Sequence, residues 1–419
     1  MATTPDASSD VTAPSPAEAP RIPWCQPIDG FRAVCACLAV LGHTFLASSI
    51  MPFDGVLLVL GILVALFFAI SSFVLYQPFI AADVIGAPRP TAATFYVRRL
   101  LRVYPLFFLA LTAYLILLPG LRADTWWGTT RLYLFLQIFG RELNDLKGLP
   151  SAWYLCNEII FYLLMPVMAW AAARWSDRRG HRSVRERLRP HLAIGWGMVV
   201  VGPIARTLLY VFDVPYPTAL PLSHLEFFGF GVVVAAYAVG MRNGVRPPEV
   251  ILWLRSNTAA SYALFVLPVA LLWLVAALNG DGSGAWVPGD VQDQLRFPLY
   301  LVAIVLLMVP AGLGRRRDPA NAFLSHPRFR FLSSLALHIY LWHQLVLGLL
   351  NRALGGLDKV DYGGRFATGV VLCALALGGT VLLSWATLPA TEYLYQRYRR
   401  RHGRTAQAPT AGDLAPRLG

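Results

Sequence analysis

The chain predicts an all-α fold, a polytopic membrane helix bundle of ten transmembrane helices with both termini cytoplasmic and one short re-entrant or interfacial helix. Three observations carry this expectation. Of 419 residues, 56% are hydrophobic and only 14% charged, where a soluble domain carries roughly a quarter charged residues. The apolar residues form long blocks without the alternation of strands. The basic residues gather in every second connection between those blocks.

Residues 1–27 are rich in Ala, Pro, Ser and Thr and lack the apolar core of a signal peptide, so they read as a disordered cytoplasmic tail. Apolar spans follow near 31–50, 56–79, 103–120, 152–173, 191–212, 222–240, 258–279, 296–314, 332–350 and 366–388, a membrane domain over 28–390. Residues 391–419 read as a basic cytoplasmic tail. The stretch 129–139 is apolar but short, and the charge distribution decides its place. With ten spans, cytoplasmic segments hold 26 of the 36 Lys and Arg and exterior loops hold 8. An eleventh span there would put the seven arginines from Arg174 to Arg189 outside while Arg98, Arg99 and Arg102 stay inside, against the positive-inside rule. Residues 129–139 are therefore expected at the exterior interface, flanked by Trp126 and Trp127 in the aromatic belt.

The net charge of +13 comes almost wholly from arginine, the lysines being Lys147 and Lys359. A nucleic-acid surface would need those charges on one soluble face, but they are dispersed between apolar blocks, so the lipid bilayer is the expected partner and nucleic acid is not. The five cysteines, Cys25, Cys35, Cys37, Cys156 and Cys373, include no CxxC pair and point to neither disulfides nor a metal site. Arginine over lysine, with abundant Ala and Gly, points to a GC-rich bacterial genome and hence to an inner (plasma) membrane. Nothing in the pattern fixes an oligomeric state.

Ionisable groups at membrane depth cost several kcal/mol and mark where function is to be sought. Arg32 and His43 are eleven residues apart, so they share one helix face about 16 Å apart along the axis. One meets the inner surface and the other sits mid-membrane. His343 falls at a similar depth, and Glu158 lies some 9 Å below the outer surface of its own span. Taken alone, Arg32 reads equally well as a snorkelling anchor and His43 as a buried histidine bonded to a neighbouring helix. Glu226, with His224, enters from the exterior, and Arg206 lies in the outer half of its span. They form either a polar vestibule for a substrate or a salt bridge with each other. At the inner mouth of the third span, Arg98, Arg99 and Arg102 offer forks that match phosphate oxygens, although the topology rule alone also places basic residues there.

Taken in order, the motifs resemble the acyltransferase 3 family of integral membrane O-acyltransferases. Asp29-Gly30-Phe31-Arg32 through Gly42-His43 is similar to the family's arginine, ten residues, then histidine. Phe67-Phe68-Ala69-Ile70-Ser71-Ser72-Phe73 resembles its FF-x-x-SGF, with Ser72 in place of the usual glycine. Arg98-Arg99-Leu100-Leu101-Arg102-Val103-Tyr104-Pro105 resembles its RRLLRIYP, and Trp153-Tyr154-Leu155-Cys156-Asn157-Glu158 with Phe161-Tyr162 and Pro166 resembles W-x-L-x-x-E-x-x-FY. Glu226-Phe227-Phe228-Gly229 matches an EF-x-G element, and Tyr340-Leu341-Trp342-His343 a late YLWH, with Leu337 where a tyrosine is common.

The resemblance implies transfer of an acyl group, often acetyl, from acyl-CoA as co-substrate to a hydroxyl of a sugar, glycolipid, polysaccharide or glycosylated natural product, with no permanently bound cofactor. An alcohol needs a positioned base, and His43 is the candidate. His343 or Ser71 would donate to the oxyanion. Glu158 would orient a histidine or bind acceptor hydroxyls. Arg32, Arg98, Arg99 and Arg102 would keep the donor's phosphates at the inner mouth, while Trp153, Ser71, Arg206 and Glu226 would face the acceptor. On this reading His43 lies where a donor route from inside meets an acceptor route from outside. A transporter or flippase using the same His and Glu groups as a proton relay explains the buried charges equally well, but not the pairing of an inner arginine cluster with a histidine three turns above Arg32.

Overall fold

A computed structural model describes residues 26–48, 54–140, 147–278, 291–315, 317–355 and 366–402. These residues form helices α1 (Gln26–Ser48), α2 (Asp54–Ile85), α3 (Ala92–Leu117), α4 (Trp126–Tyr133), α5 (Trp153–Arg178), α6 (Val184–Val211) and α7 (Leu225–Arg242). They continue with α8 (Glu249–Ser256), α9 (Thr258–Leu264), α10 (Val266–Leu278), α11 (Val291–Leu313), α12 (Pro319–Leu324), α13 (Pro327–Ala353) and α14 (Phe366–His402). No strand occurs among the described residues, and ten helical stretches among them are long and apolar enough to cross a membrane. Of the two expected tails, residues 1–25 and 403–419 lie outside the described residues, while 391–402 continue the last helix.

Several helices run beyond the apolar stretches that announce them. The third begins at Ala92 rather than near 103, because Thr91 caps it by accepting from the Thr94 amide at 3.2 Å. A charged turn lowers hydropathy without breaking a helix, so Arg98, Arg99 and Arg102 sit within α3 rather than in the loop before it. The sixth begins at a capping box in which Ser183 and Glu186 exchange hydrogen bonds with each other's backbone. The expected span 258–279 is divided at Phe265 into α9 and α10. The stretch 129–139 holds only the end of α4 and a tight turn at Gln137–Phe139, and eight residues of helix rise about 12 Å. It does not cross, and Trp126 and Trp127 are exposed beside it.

Two packing groups place the site. α7 is apolar on every side and is buried, packed against α2, α6 and α11. Ser72, the departure from the motif glycine, is accommodated here: its hydroxyl donates to the Phe68 and Ala69 carbonyls at 3.2 and 3.1 Å and faces Gly231, where any Cβ would collide with it. In the second group α1 lies along α13 and α14. Gly30 lets the backbone of Leu324, at the end of α12, rest directly on α1, since a Cβ would come within 2.9 Å of the Leu324 carbonyl carbon. Trp342 Nε1 donates to Thr387 Oγ1 at 2.9 Å, and His338 Nε2 meets Thr391 Oγ1 at 2.8 Å, joining α13 to α14.

Candidate active site

The packing of α1 on α13 brings His43 and His343 together from opposite ends of the chain, with ring centroids 5.0 Å apart and planes tilted by 48°. His43 Nδ1 lies 2.8 Å from the Ala39 carbonyl, one turn back on its own helix. His343 Nδ1 lies 2.7 Å from the Tyr340 carbonyl and 3.2 Å from that of Ile339. A carbonyl only accepts, so each ring carries a proton on Nδ1, which leaves Nε2 as a lone pair in the neutral form. His343 is fully buried and its Nε2 has no partner, while His43 keeps intermediate exposure. In that form the pair presents two acceptor nitrogens side by side. With Nδ1 of His343 facing backbone, the expected oxyanion donation would fall to Nε2 in the protonated form of the ring.

Glu158 sits apart from the histidines. Ser71 donates its hydroxyl to the Glu158 carboxylate, with Tyr162 close to the same carboxylate and Tyr154 close to Ser71. The histidines are oriented by their own helices, not by this carboxylate, and the Ser71 proton is engaged with Glu158. Around this cluster stand arginines from two helices. Arg32 is within electrostatic range of Asp29, Arg102, Glu158 and Tyr154, and Arg99 of Arg102, Tyr162, Tyr395 and Glu158. Three of the four expected phosphate-binding arginines thus share one neighbourhood with two carboxylates, Glu158 and, beside Arg32, Asp29. Arg98, on the adjoining strip of α3, makes no ion pair or hydrogen bond among the described residues.

Arg206 and Glu226 meet each other. Their side chains are 1% exposed and form an ion pair, with a further bond from Arg206 to the Ser223 carbonyl at 3.1 Å and its guanidinium 3.9 Å from the Phe297 ring. The salt-bridge alternative for Glu226 is the arrangement found. Trp153 opens α5 with its ring 5.6 Å from that of His224, which hydrogen-bonds the Thr218 carbonyl at 2.9 Å.

The sequence reading missed Tyr154 and Tyr162, although 154, 158 and 162 repeat every four residues and so share a helix face. It also missed a second buried cluster. Asp83 Oδ1 pairs with Arg187 at 2.7 Å and with Arg89 at 3.7 Å, Asp83 Oδ2 meets His191 Nε2 at 3.2 Å, and the Tyr76 hydroxyl meets His191 Nδ1 at 3.2 Å. Tyr76 and Asp83 are seven apart on α2, and Arg187 and His191 four apart on α6, a signal that was present. An apolar groove of about 520 Å³ between α3 and α14 is lined by Tyr104, Pro105, Phe108, Leu109, Ala390 and Thr391. It does not include the histidine pair. Among the described residues no group of three or more His, Cys, Asp or Glu is arranged to hold a metal ion, and Cys35, Cys37, Cys156 and Cys373 are unpaired.

A sequence model of the family described as an acyltransferase domain matches residues 27–388, and the chain belongs to that acyltransferase 3 family. No curated protein and no solved structure matches the chain. The protein is a multi-pass membrane acyltransferase.

Proposed function

We propose that this protein moves an acyl group, acetyl in the simplest case, from acyl-CoA to a hydroxyl of a sugar, glycolipid, polysaccharide or glycosylated natural product at the bacterial plasma membrane. The observation that carries the reading is the pair His43 and His343, each with Nδ1 held by backbone and Nε2 left as a lone pair, 5.0 Å apart between centroids. A base with its other nitrogen fixed is what deprotonation of a weak nucleophile requires.

In this mechanism the acceptor hydroxyl gives its proton to His43 Nε2 as its oxygen attacks the thioester carbonyl. The tetrahedral intermediate collapses with loss of the C–S bond, and the proton passes from His43 to the departing thiolate, giving the ester and free CoA. His343 offers a second acceptor beside His43 for that proton. Arg32, Arg99 and Arg102, with Arg98 at the same mouth, hold the nucleotide phosphates, since guanidinium forks match them in charge and geometry. The axial gap of about 16 Å between Arg32 and His43 is left for the pantetheine arm. Asp29 and Glu158 limit the mutual repulsion of the arginines, and an anionic donor would complete the neutralisation.

The test is transfer of labelled acetyl from acetyl-CoA to hydroxyl-bearing acceptors by the purified protein. His43→Ala is expected to abolish transfer at unchanged protein abundance. Undiminished transfer by that variant would remove His43 from the mechanism.

A further inference from the structure

The last turns of α5 present a surface that the transfer reaction does not use. Leu163, Leu164, Val167 and Trp170 are exposed along one side of the helix, and the same side continues through Arg174 to Arg178. From Leu163 to Arg174 the helix rises about 16 Å, close to half of a hydrocarbon core of roughly 30 Å. At the charged end Trp170, Ala171, Arg174, Trp175, Arg178 and Arg179 line a groove of about 350 Å³. The Arg174 guanidinium stands 6.0 Å from the Trp170 ring.

The nearby carboxylates are engaged elsewhere. Asp177 pairs with Arg187 at 3.1 Å, and Glu186 caps α6 through the Ser183 and Arg182 amides. Arg174, Arg178 and Arg179 have no carboxylate partner among the described residues. Three cationic forks between two tryptophans, at one end of an apolar strip one leaflet long, match a phosphate head joined to acyl chains.

We propose that this strip and groove of α5 form a binding site for one anionic glycerophospholipid, its phosphate held by Arg174, Arg178 and Arg179 and its acyl chain lying along Trp170, Val167 and Leu163. The tryptophans mark the interfacial depth, and the arginines lie in the connection that the charge bias assigns to the cytoplasmic leaflet, where anionic lipid attracts basic residues. The site stands independently of the proposed chemistry.

The experiment reconstitutes the full chain in nanodiscs of equal phosphatidylglycerol and phosphatidylcholine, re-extracts it in mild detergent, and measures retained lipid by mass spectrometry. The wild type is expected to retain phosphatidylglycerol selectively. Arg174→Gln with Arg178→Gln and Arg179→Gln should retain at least about tenfold less. Arg182→Gln with Arg185→Gln and Arg189→Gln removes equal charge from the same connection and should retain the wild-type amount. Glycerol phosphate in excess should leave the bound lipid in place. All six side chains are exposed, so thermal unfolding in phosphatidylcholine alone should be the same for the three proteins. Equal loss in both triple variants would reduce the groove to diffuse charge, equal retention of the two lipids would remove the site, and displacement by glycerol phosphate would make it an anion site without a lipid. Each of these results overturns the proposal.

Discussion

His191 and His343 are both fully buried among apolar helices, yet their surroundings are opposite in kind. Both nitrogens of His191 are engaged, one by Asp83 and one by the Tyr76 hydroxyl, and Asp83 is engaged again by Arg187. His343, like His43 beside it, spends one nitrogen on a backbone carbonyl and leaves the other empty. A buried polar group without a partner costs free energy, and under the proposed chemistry the substrate would supply that partner. The first arrangement is a clasp between α2 and α6. The second is the pair proposed as bases, each with one ring nitrogen left without a partner.

The contrast is broken or sharpened by exchanging the two kinds of loss. His43→Ala is expected to cost transfer about 10²–10⁴-fold with little change in thermal stability, read from initial rates and an unfolding curve in the same detergent. Asp83→Ala should do the reverse, lowering stability by about 1–3 kcal/mol because the fully buried His191 loses a hydrogen-bond partner while Arg187 keeps Asp177. The folded fraction of that variant should keep its turnover. If Asp83→Ala abolished turnover in protein that remained folded, the clasp would be part of the chemistry and the distinction would fail.

A smaller effect is expected at the inner arginines. Arg99→Ala with Arg102→Ala should raise the KM for acyl-CoA by roughly 10–100-fold with a lesser fall in kcat, since remote phosphate contacts act alike on ground and transition states. An unchanged KM would return these arginines to topology signals. Gly30→Ala should be smaller again, destabilising by about 1–3 kcal/mol through the clash with the Leu324 backbone, visible as a lowered unfolding temperature with KM for the donor unaltered.

Much of this was legible in the residue order, for identifiable reasons. Ten apolar blocks, with arginines gathered in every second connection, announce the spans because a helix satisfies its own backbone in lipid, and the eleven-residue spacing of Arg32 and His43 places them on one face without any tertiary knowledge. What the order did not carry was partnership between helices. His43 meets His343 only because Gly30 and its neighbours let α1 settle against α12 and α13, and no periodicity in either helix announces the other. Arg206 and Glu226 were both visible as costly groups, but whether they faced a ligand or each other depended on how α6 met α7. The early start of α3 was hidden for a different reason: hydropathy falls where arginines enter, while the helix continues from the cap at Thr91.

The account rests on an open Nε2 at His43 that a reagent and a substrate can both reach. Limited treatment of the purified protein with diethyl pyrocarbonate, which acylates an unprotonated imidazole nitrogen, followed by peptide mass spectrometry, measures this directly. The expected result is carbethoxylation at His43 in step with loss of transfer, slowed by saturating acetyl-CoA, with His191 unmodified. Inactivation with His43 untouched, or modification of His43 that neither slows transfer nor responds to acetyl-CoA, would contradict it.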